Sequence, residues 1–343
     1  MRRLGLLCAI TVMIAAAATG EVNADLLRAA REGDAETVQD LLNQHGPEIA
    51  EANSGVAAIK AAAEQGHTEA IRALLASPAV DSEKAVGVAV AAAAMRGYIE
   101  TVRVIVGHSG NLQVKNGAMA AAVLNERVDL ARVLLSEGAD VNLRPTDGSS
   151  PPGTTYLWAA ARKGAVEMID LLLKWGADPN QRTKDGGTAL MSAASNGRSE
   201  ALQMLVNARA DVNAADRNSQ TALMHTLIMS WTECARVLLA SGADTEIADK
   251  NGGTPLMNVA ATSHTSMLRL LLEWDADVDA IHAEGFTPLM IAAFSGRLDN
   301  VKALLAAKPD TDVRDKQGRT AIDHARERKR DDIAEVIEAA KDG

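Results

Sequence analysis

The side chains that could carry out catalysis are scattered along this sequence of 343 residues. Its seven histidines do not pair at the spacings of metal ligands. No nucleophile elbow, phosphate-binding glycine loop, His-Glu-X-X-His or Cys-X-X-Cys motif is present. His225 and His324 share one position of a repeated pattern and are expected at the surface or in a contact. We therefore predict no catalytic residue, metal site or cofactor, leaving open only carboxylates that folding brings together from distant positions.

The recurring carboxylates and the cysteines have structural explanations. One aspartate stands at the end of each predicted second helix, at a spacing of 33 residues: Asp178, Asp211, Asp244, Asp277 and Asp310. Acidic residues such as Glu167 and Glu233 recur in the first turn of that helix, where negative charge complements the helix dipole. Cys8 lies in an apolar N-terminal segment, and Cys234 is expected to be buried and inert.

The N-terminal segment has the features of a secretory signal peptide. Arg2 and Arg3 precede an apolar stretch from Leu4 to Ala18, and small residues follow up to Gly20. This order is typical of an export signal, and the stretch is too short for a stable membrane anchor. We expect cleavage near Gly20 and a periplasmic or secreted protein. The alternative is an apolar helix that starts the fold.

The acidic balance of the chain disfavours nucleic acid as a partner. The formal net charge is −10 and the pI is near 5.3, whereas a nucleic-acid-binding protein shows a basic face. The one concentrated basic run, residues 326–330, is followed at once by Asp331 and Asp332 and is interpreted as a solvated helix face. Beyond residue 20 no stretch of 18 uninterrupted apolar residues occurs, so we predict no membrane span after signal cleavage. We also predict that the protein is a monomer.

A unit of 33 residues repeats along the chain. Thr188, Thr221, Thr254, Thr287 and Thr320 each open a Thr-X-(Leu or Ile) triplet at this spacing. A turn rich in Asp, Asn and Gly precedes the threonine, which is placed to cap a short first helix. A glycine turn then leads to a second helix, which a Gly-Ala-Asp stop ends. Such repetition predicts a stacked array, because no unit can bury its apolar face alone.

The repeated unit resembles the ankyrin repeat, whose Thr-Pro-Leu-His-X-Ala motif it follows. The resemblance is carried by GGTPLMNVAATS (252–263), GFTPLMIAAFSG (285–296) and GGTALMSAASNG (186–197), with the stops GADVN (138–142) and GADPN (176–180). Methionine replaces the histidine of the motif and is expected to pack in the core. The resemblance implies an all-α solenoid of stacked helix-turn-helix repeats with short β-hairpin fingers. It also implies a concave surface that binds other proteins. Counted along the sequence, the array has about ten helix pairs including caps.

Departures from the period divide the chain into segments. Asp140 and Asp178 are 38 residues apart, five more than the period, and the excess falls in a run rich in Pro, Gly and Ser. We interpret this run as an elongated finger loop. Whether it acts as a hinge, binds a partner or is a spacer without a specific role stays open. The segments are a signal peptide (1–20), an N-terminal cap with degenerate repeats (21–142), the loop (143–154), regular repeats (155–312) and a C-terminal capping repeat (313–343).

Positions that vary between units are the candidates for binding a partner, because the scaffold needs the repeated ones. On the fingers they are Lys184, Asp185, Arg217, Asn218, Lys250, Asn251, Glu284 and Phe286, and on the first helices Arg162, Lys163, Asn196, Met229 and Phe294. Phe286, expected at a finger tip, and Phe294 carry the most weight, since aromatic side chains often anchor interfaces. The alternative for each residue is a solvated or locally packed side chain.

These observations predict an exported, non-enzymatic protein-protein interaction scaffold. It would bind a partner protein of unknown identity through the concave surface. The alternative from another class is a secreted effector or toxin-associated targeting module that acts on a host protein. An enzyme with an unrecognised site is the third possibility.

Overall fold

A computed structural model describes residues 20–80, 82–144 and 153–341, with only the backbone of Ser82. The predicted signal peptide, apart from Gly20, and most of the 143–154 loop lie outside these described residues. The chain divides into two compact units, Met1–Pro151 and Pro152–Gly343. The division falls within the Pro-, Gly- and Ser-rich loop.

The described part of the first unit forms eight helices. They are α1 (described from residue 20 to 32), α2 (Ala35–Ala52), α3 (Ser54–Gln65), α4 (Thr68–Ala76), α5 (Ser82–Arg96), α6 (Ile99–Ser109), α7 (Leu112–Leu124) and α8 (Val128–Ser136). Only Asn53 separates α2 from α3, and only Gly110 and Asn111 separate α6 from α7. These connections are too short to hold a finger.

The described part of the second unit forms twelve helices. They are α9 (Tyr156–Lys163), α10 (Val166–Lys174), α11 (Ala189–Ser195), α12 (Ser199–Asn207), α13 (Ala222–Met229), α14 (Thr232–Ala240), α15 (Pro255–Ala260), α16 (Thr265–Glu273), α17 (Pro288–Phe294), α18 (Leu298–Ala306), α19 (Ala321–Glu327) and α20 (Asp331–Lys341). Within this unit each odd-numbered helix packs on the next odd-numbered one, and among the even-numbered helices α10 packs on α12, α12 on α14, α16 on α18 and α18 on α20. Between α14 and α16, Thr232 Oγ1 donates to Met267 Sδ at 3.6 Å. The first helices and the second helices therefore form two layers.

The predicted all-α solenoid is confirmed. The described residues form ten helix pairs and no β-strand, and the fingers are tight turns. One isolated antiparallel bridge joins Ala215 to Thr221. Small side chains let the first helices approach closely: Ala160, Ala193 and Ala293 have no exposed surface. The methionines at the histidine position of the motif are buried in this core: Met191, Met224, Met257 and Met290.

The repeated threonines start the first helices, as predicted. The side-chain oxygen of each threonine accepts a hydrogen bond from the backbone N–H three residues later, at 3.0–3.4 Å: Thr155, Thr188, Thr221, Thr254, Thr287 and Thr320. Each bond satisfies one of the N–H groups that the first turn of a helix leaves without a partner. Asp323 also accepts from the backbone N–H of Thr320, which completes a capping box.

The turns that end the second helices are linked to one another. We call residues 175–181, 208–214, 241–247, 274–280 and 307–313 the stop turns. Within one turn, Asp178 Oδ1 accepts from the N–H of Asn180 (2.8 Å), and Asn180 Oδ1 accepts from the N–H of Asp211 in the next (2.7 Å). Equivalent bonds run from Asp244 to Asn213 (2.8 Å) and from Asp310 to Asp279 (2.8 Å). The structural role predicted for the recurring aspartates is confirmed.

Candidate protein-binding surface

A side chain at the start of each finger turn sets the shape of that turn. Asp216 Oδ1 accepts from the N–H groups of Asn218 (2.7 Å) and Gln220 (3.0 Å). Asp249 and Asp315 make the same pair of bonds in their own fingers. Short carboxylates favour this kind of turn because they bond to backbone groups two residues on. The finger conformation is therefore fixed before any partner binds.

Side chains of the first helix form hydrogen bonds with the same carboxylates. Asn258 Nδ2 donates to Asp249 Oδ2 at 3.1 Å, and His324 Nε2 lies 2.9 Å from Asp315 Oδ2. His324 is fully buried, so of the two expectations for this residue, the surface or a contact, it lies in a contact and not at the surface. His225 is partly exposed and lies 4.0 Å from Asp216; burial lowers its pKa, and Asp216 opposes that shift.

Asp315 is the most strongly held carboxylate of the fingers. Burial alone would raise its pKa, but bonds from the backbone and side chain of Arg319, the backbone of Gln317 and the side chain of His324 outweigh burial and lower the pKa to about 2. Asp315 is therefore ionised at neutral pH, and its contacts make the last finger rigid.

The predicted finger-tip residues pair with one another across neighbouring fingers. The backbone N–H of Arg217 donates to the carbonyl of Asp185 (3.1 Å), and their side chains lie 3.8 Å apart. The next pair repeats this contact, because Lys250 donates from its backbone to the carbonyl of Asn218 and from Nζ to Asn218 Oδ1 (2.7 Å). These positions remain exposed, but they also connect adjacent fingers.

The remaining finger-tip candidates lie at one irregular finger. Glu284 pairs with Lys316 Nζ at 3.3 Å, and the carbonyl of Asn251 accepts from His282 Nε2. His282 occupies the position that aspartate holds in the neighbouring fingers, and its Nδ1 accepts from the N–H of Glu284 (3.0 Å). Lys184 is exposed at the first finger of the second unit.

The first-helix candidates lie at the C-terminal ends of the helices, seven and eight positions after the capping threonine. Met229 is 54% exposed and Phe294 is 40% exposed. Arg162 lies over the ring of Trp158 at 5.5 Å, while Lys163 is half-buried and Asn196 is exposed. Ile228, 52% exposed, belongs to the same set but is missing from the sequence-based candidates. Its repeat position, shared with Arg162 and Phe294, is the signal that could have found it.

Phe286 lies at the closing end of its finger turn, not at the tip. The N–H of His282 donates to the carbonyl of Phe286 (2.8 Å), and the Phe286 ring is half-buried 5.2 Å from the ring of His324. The expectation of a tip residue was therefore wrong. Phe294 lies on the other side, 5.9 Å from His324, and Arg328 covers its ring at 3.9 Å. The only two phenylalanines of the chain thus meet at one buried histidine.

Cross-repeat hydrogen bonds fix the ends of the first helices. Trp231 Nε1 donates to the carbonyl of Ser195 at 3.3 Å, and the Trp231 ring covers Gly197. Arg198 and Arg297 donate equivalently to the carbonyls of Arg162 (3.3 Å) and Ala261 (3.0 Å). Each carbonyl belongs to a residue seven positions after the cap. Side chains of the following repeat therefore hydrogen-bond to the backbone at the ends of the first helices.

In the last repeat the finger turn and the end of the first helix are in contact. Arg319, from the last finger, pairs with Glu327 at the end of α19 at 3.0 Å. We call the finger tips and the first-helix ends of the second unit together the finger face. Its tips are residues 184–185, 217–218, 250–251, 283–284 and 316–317, and its helix ends are residues 162–163, 195–196, 228–229, 261–262, 294–295 and 327–328.

The part of the chain that the structure describes contains neither a cluster of metal ligands nor a membrane-spanning helix. No group of three His, Cys, Asp or Glu side chains in residues 20–80, 82–144 and 153–341 could hold a metal ion. No helix within the same ranges is long and apolar enough to cross a membrane. Cys234 is buried, which raises its pKa to about 11.

Paired helices, threonine caps and cross-linked finger turns define a helical repeat protein of the interaction-module class. A model of ankyrin repeats in three copies matches residues 26–116, 119–216, 157–249, 190–282, 232–315 and 277–341. The chain therefore belongs to the ankyrin-repeat family. This fold is in general a non-catalytic module for binding proteins.

Similar proteins match over parts of the chain. A 2-5A-dependent ribonuclease from Homo sapiens is 41% identical over 73 residues, which cover 21% of this chain and 9% of the relative. An ankyrin repeat and LEM domain-containing protein 1 homolog from Caenorhabditis elegans is 42% identical over 71 residues, which again cover 21% of this chain and 9% of the relative. A crystal structure of an ankyrin repeat domain from Acinetobacter baumannii AYE aligns at 29% identity with a TM-score of 0.51, covering 54% of this chain and 97% of that domain.

Proposed function

We propose that this chain is a non-enzymatic scaffold exported from the cytoplasm, and that it binds a partner protein through the finger face. One observation carries the proposal of binding. In the regular repeats the threonine caps, the side chains that accept backbone hydrogen bonds in the finger turns, and the hydrogen bonds between repeats all recur. The residue types at the exposed positions, in contrast, differ from one repeat to the next. A rigid support with variable exposed side chains is what a specific interface requires.

The apolar members of the finger face supply anchors for such an interface. Ile228, Met229 and Phe294 expose large side chains at positions where neighbouring repeats place polar or small ones. Truncating anchors of this kind typically costs an interface about 2 kcal/mol or more. Ile228 and Met229 are more than half exposed, so replacing them should affect binding far more than stability.

Chemical cross-linking in the native compartment followed by mass spectrometry tests the proposal of binding. The recovered partner should bind the Met229→Ser and Phe294→Ser variants at least tenfold more weakly than the unmodified chain. Trp274→Ser is the matched control, because Trp274 is 41% exposed but lies in a stop turn. Recovery of no partner, or equal affinity of all three variants, would contradict the proposal.

The proposal of export rests on the first twenty residues, with their two arginines, apolar stretch and small residues. N-terminal sequencing after cell fractionation tests it independently of binding. The mature protein should begin near residue 21 and be found outside the cytoplasm. A cytoplasmic protein that keeps residues 1–20 would overturn export and leave the proposal of binding intact.

A further inference from the structure

We propose that the partner engages the finger face through an acidic segment that carries two large apolar side chains. This inference rests on the proposed function and adds the chemistry of the partner. It follows from how apolar and charged side chains are distributed over the second unit.

The apolar side chains of the finger face form a short row in its middle. Seven positions after each cap, consecutive first helices carry Ile228, Ala261 and Phe294. The small side chain of Ala261 therefore lies between two large exposed ones. Neighbouring helix axes are about 8–10 Å apart, so Ile228 and Phe294 are separated by roughly 16–20 Å. An extended chain rising about 3.3 Å per residue spans that distance with five or six residues.

Cations outnumber carboxylates on the finger face. The finger face carries seven cations, Arg162, Lys163, Lys184, Arg217, Lys250, Lys316 and Arg328, against three carboxylates, Asp185, Glu284 and Glu327. Lys250 is hydrogen-bonded to the neutral amide of Asn218, so that contact leaves its charge uncompensated. The pair of Arg217 with Asp185 is exposed at 3.8 Å, and such pairs separate easily in favour of a partner.

The negative charge of the same unit is concentrated elsewhere. The stop turns carry nine carboxylates against two cations, Arg209 and Lys308. The finger face is therefore net positive, although the chain as a whole has a net charge of −10. Complementary charge steers a partner to one face and repels it from the other. An acidic segment is attracted to the finger face and disfavoured at the stop turns.

The apolar row favours a protein segment over a nucleic acid, the other polyanion that a basic face could attract. Surfaces that bind single strands stack successive bases on aromatic side chains along a basic groove. On the finger face Phe294 is the only aromatic residue, and Arg328 covers its ring at 3.9 Å. Aliphatic side chains at positions 228 and 229 instead suit the apolar side chains of a peptide.

Selection from a phage-displayed library of random 15-residue peptides tests the inference on the mature protein. A segment from Arg162 to Arg328 crosses five repeats, about 40–50 Å, or 12–15 extended residues. Enriched peptides should be net negative, with two large apolar residues five or six positions apart. A synthetic version should bind more weakly as salt increases, since exposed charges are screened.

Two matched pairs of variants separate the finger face from the net charge of the chain. Neutralising Arg162 and Lys250 (R162Q/K250Q) should weaken binding of the synthetic peptide about three- to tenfold, because each exposed charge contributes modestly. The pair R209Q/K308Q makes the same charge change in the stop turns and should alter binding less than twofold. I228S/M229S should weaken binding at least tenfold.

Several results would overturn the inference. They are enrichment of neutral or basic peptides, equal losses in the two neutralised pairs, no enrichment at all, and a 15-nucleotide single-stranded DNA that binds as tightly as the peptide. None of these results decides the proposed function, which is judged by cross-linking to the native partner. A native partner that docks through a basic or neutral segment would leave the scaffold proposal standing and remove only this inference.

Discussion

Replacing Gly197 with alanine should destabilise the second unit through a clash with the following repeat. A Cβ built on Gly197 would lie 2.6 Å from Cδ2 of Trp231, and the φ of Gly197 is +65°. Alanine in the left-handed region costs about 1–2 kcal/mol. Moving the Trp231 ring also breaks its bond to the Ser195 carbonyl, worth about 1 kcal/mol.

The displaced ring loses apolar contact as well. A tryptophan buries about 150–250 Å², and at about 25 cal/mol per Å² losing a fifth of that area costs about 1 kcal/mol. Gly197→Ala should therefore cost about 3–4 kcal/mol in the free energy of unfolding. Gly242 provides the control, since its φ is +84° and no atom lies within 4 Å of an added Cβ. Gly242→Ala should cost only the conformational part, about 1–2 kcal/mol.

Urea unfolding followed by far-UV circular dichroism measures both variants. Repeat arrays can unfold in steps, so transition midpoints and slopes are compared together. In a Trp231→Ala background, Gly197→Ala should cost no more than Gly242→Ala, because the clash has been removed. Equal losses for the two glycines in the unmodified chain would refute the role assigned to Trp231.

Three further predictions concern single side chains of the second unit. Thr221→Ala removes the cap that accepts from the N–H of Met224 (3.4 Å) and should cost about 1 kcal/mol in urea unfolding; an unchanged midpoint would contradict the capping role. The pKa of Asp315 is lowered from 3.8 to about 2, so its ionised form stabilises the fold above about pH 4, and this contribution is lost as the pH falls toward 2. The stability gap between the unmodified chain and Asp315→Asn, measured in urea at several pH values, should narrow over that interval; a widening gap would show the wrong sign. The pKa of Cys234 is raised to about 11, so an alkylating reagent at pH 8 should label it only after unfolding in urea; rapid labelling of the native protein, followed by mass spectrometry, would show an accessible thiol.

The repeat pattern was sufficient to predict the scaffold because its determinants are local. A threonine cap and a glycine stop act within a few residues of their own position, so sequence shows them directly. The all-α solenoid and the structural role of the stop aspartates were predicted for this reason. The β-hairpin fingers that the resemblance implied are tight turns without a strand in the described residues, with one isolated bridge between Ala215 and Thr221.

The candidate surface was only partly predictable because its contacts join residues one repeat apart. Nothing within a single finger shows that Lys250 bonds to Asn218, since the two tips meet only when the fingers stack. The burial of His324 depends on Asp315 and on two phenylalanines from the preceding repeat. One signal was available: an aspartate nine residues before a histidine or asparagine recurs at Asp249 and Asn258 as at Asp315 and His324.

Photo-cross-linking from defined positions in the native cell tests the central claim, binding through the finger face, most directly. A photoreactive phenylalanine analogue replaces Met229 or Phe294 in one set of cells, and Trp274 in the control set. Positions 229 and 294 should yield the same discrete cross-linked protein, and position 274 should not. No adduct from the finger face, or equal adducts from position 274, would contradict the account.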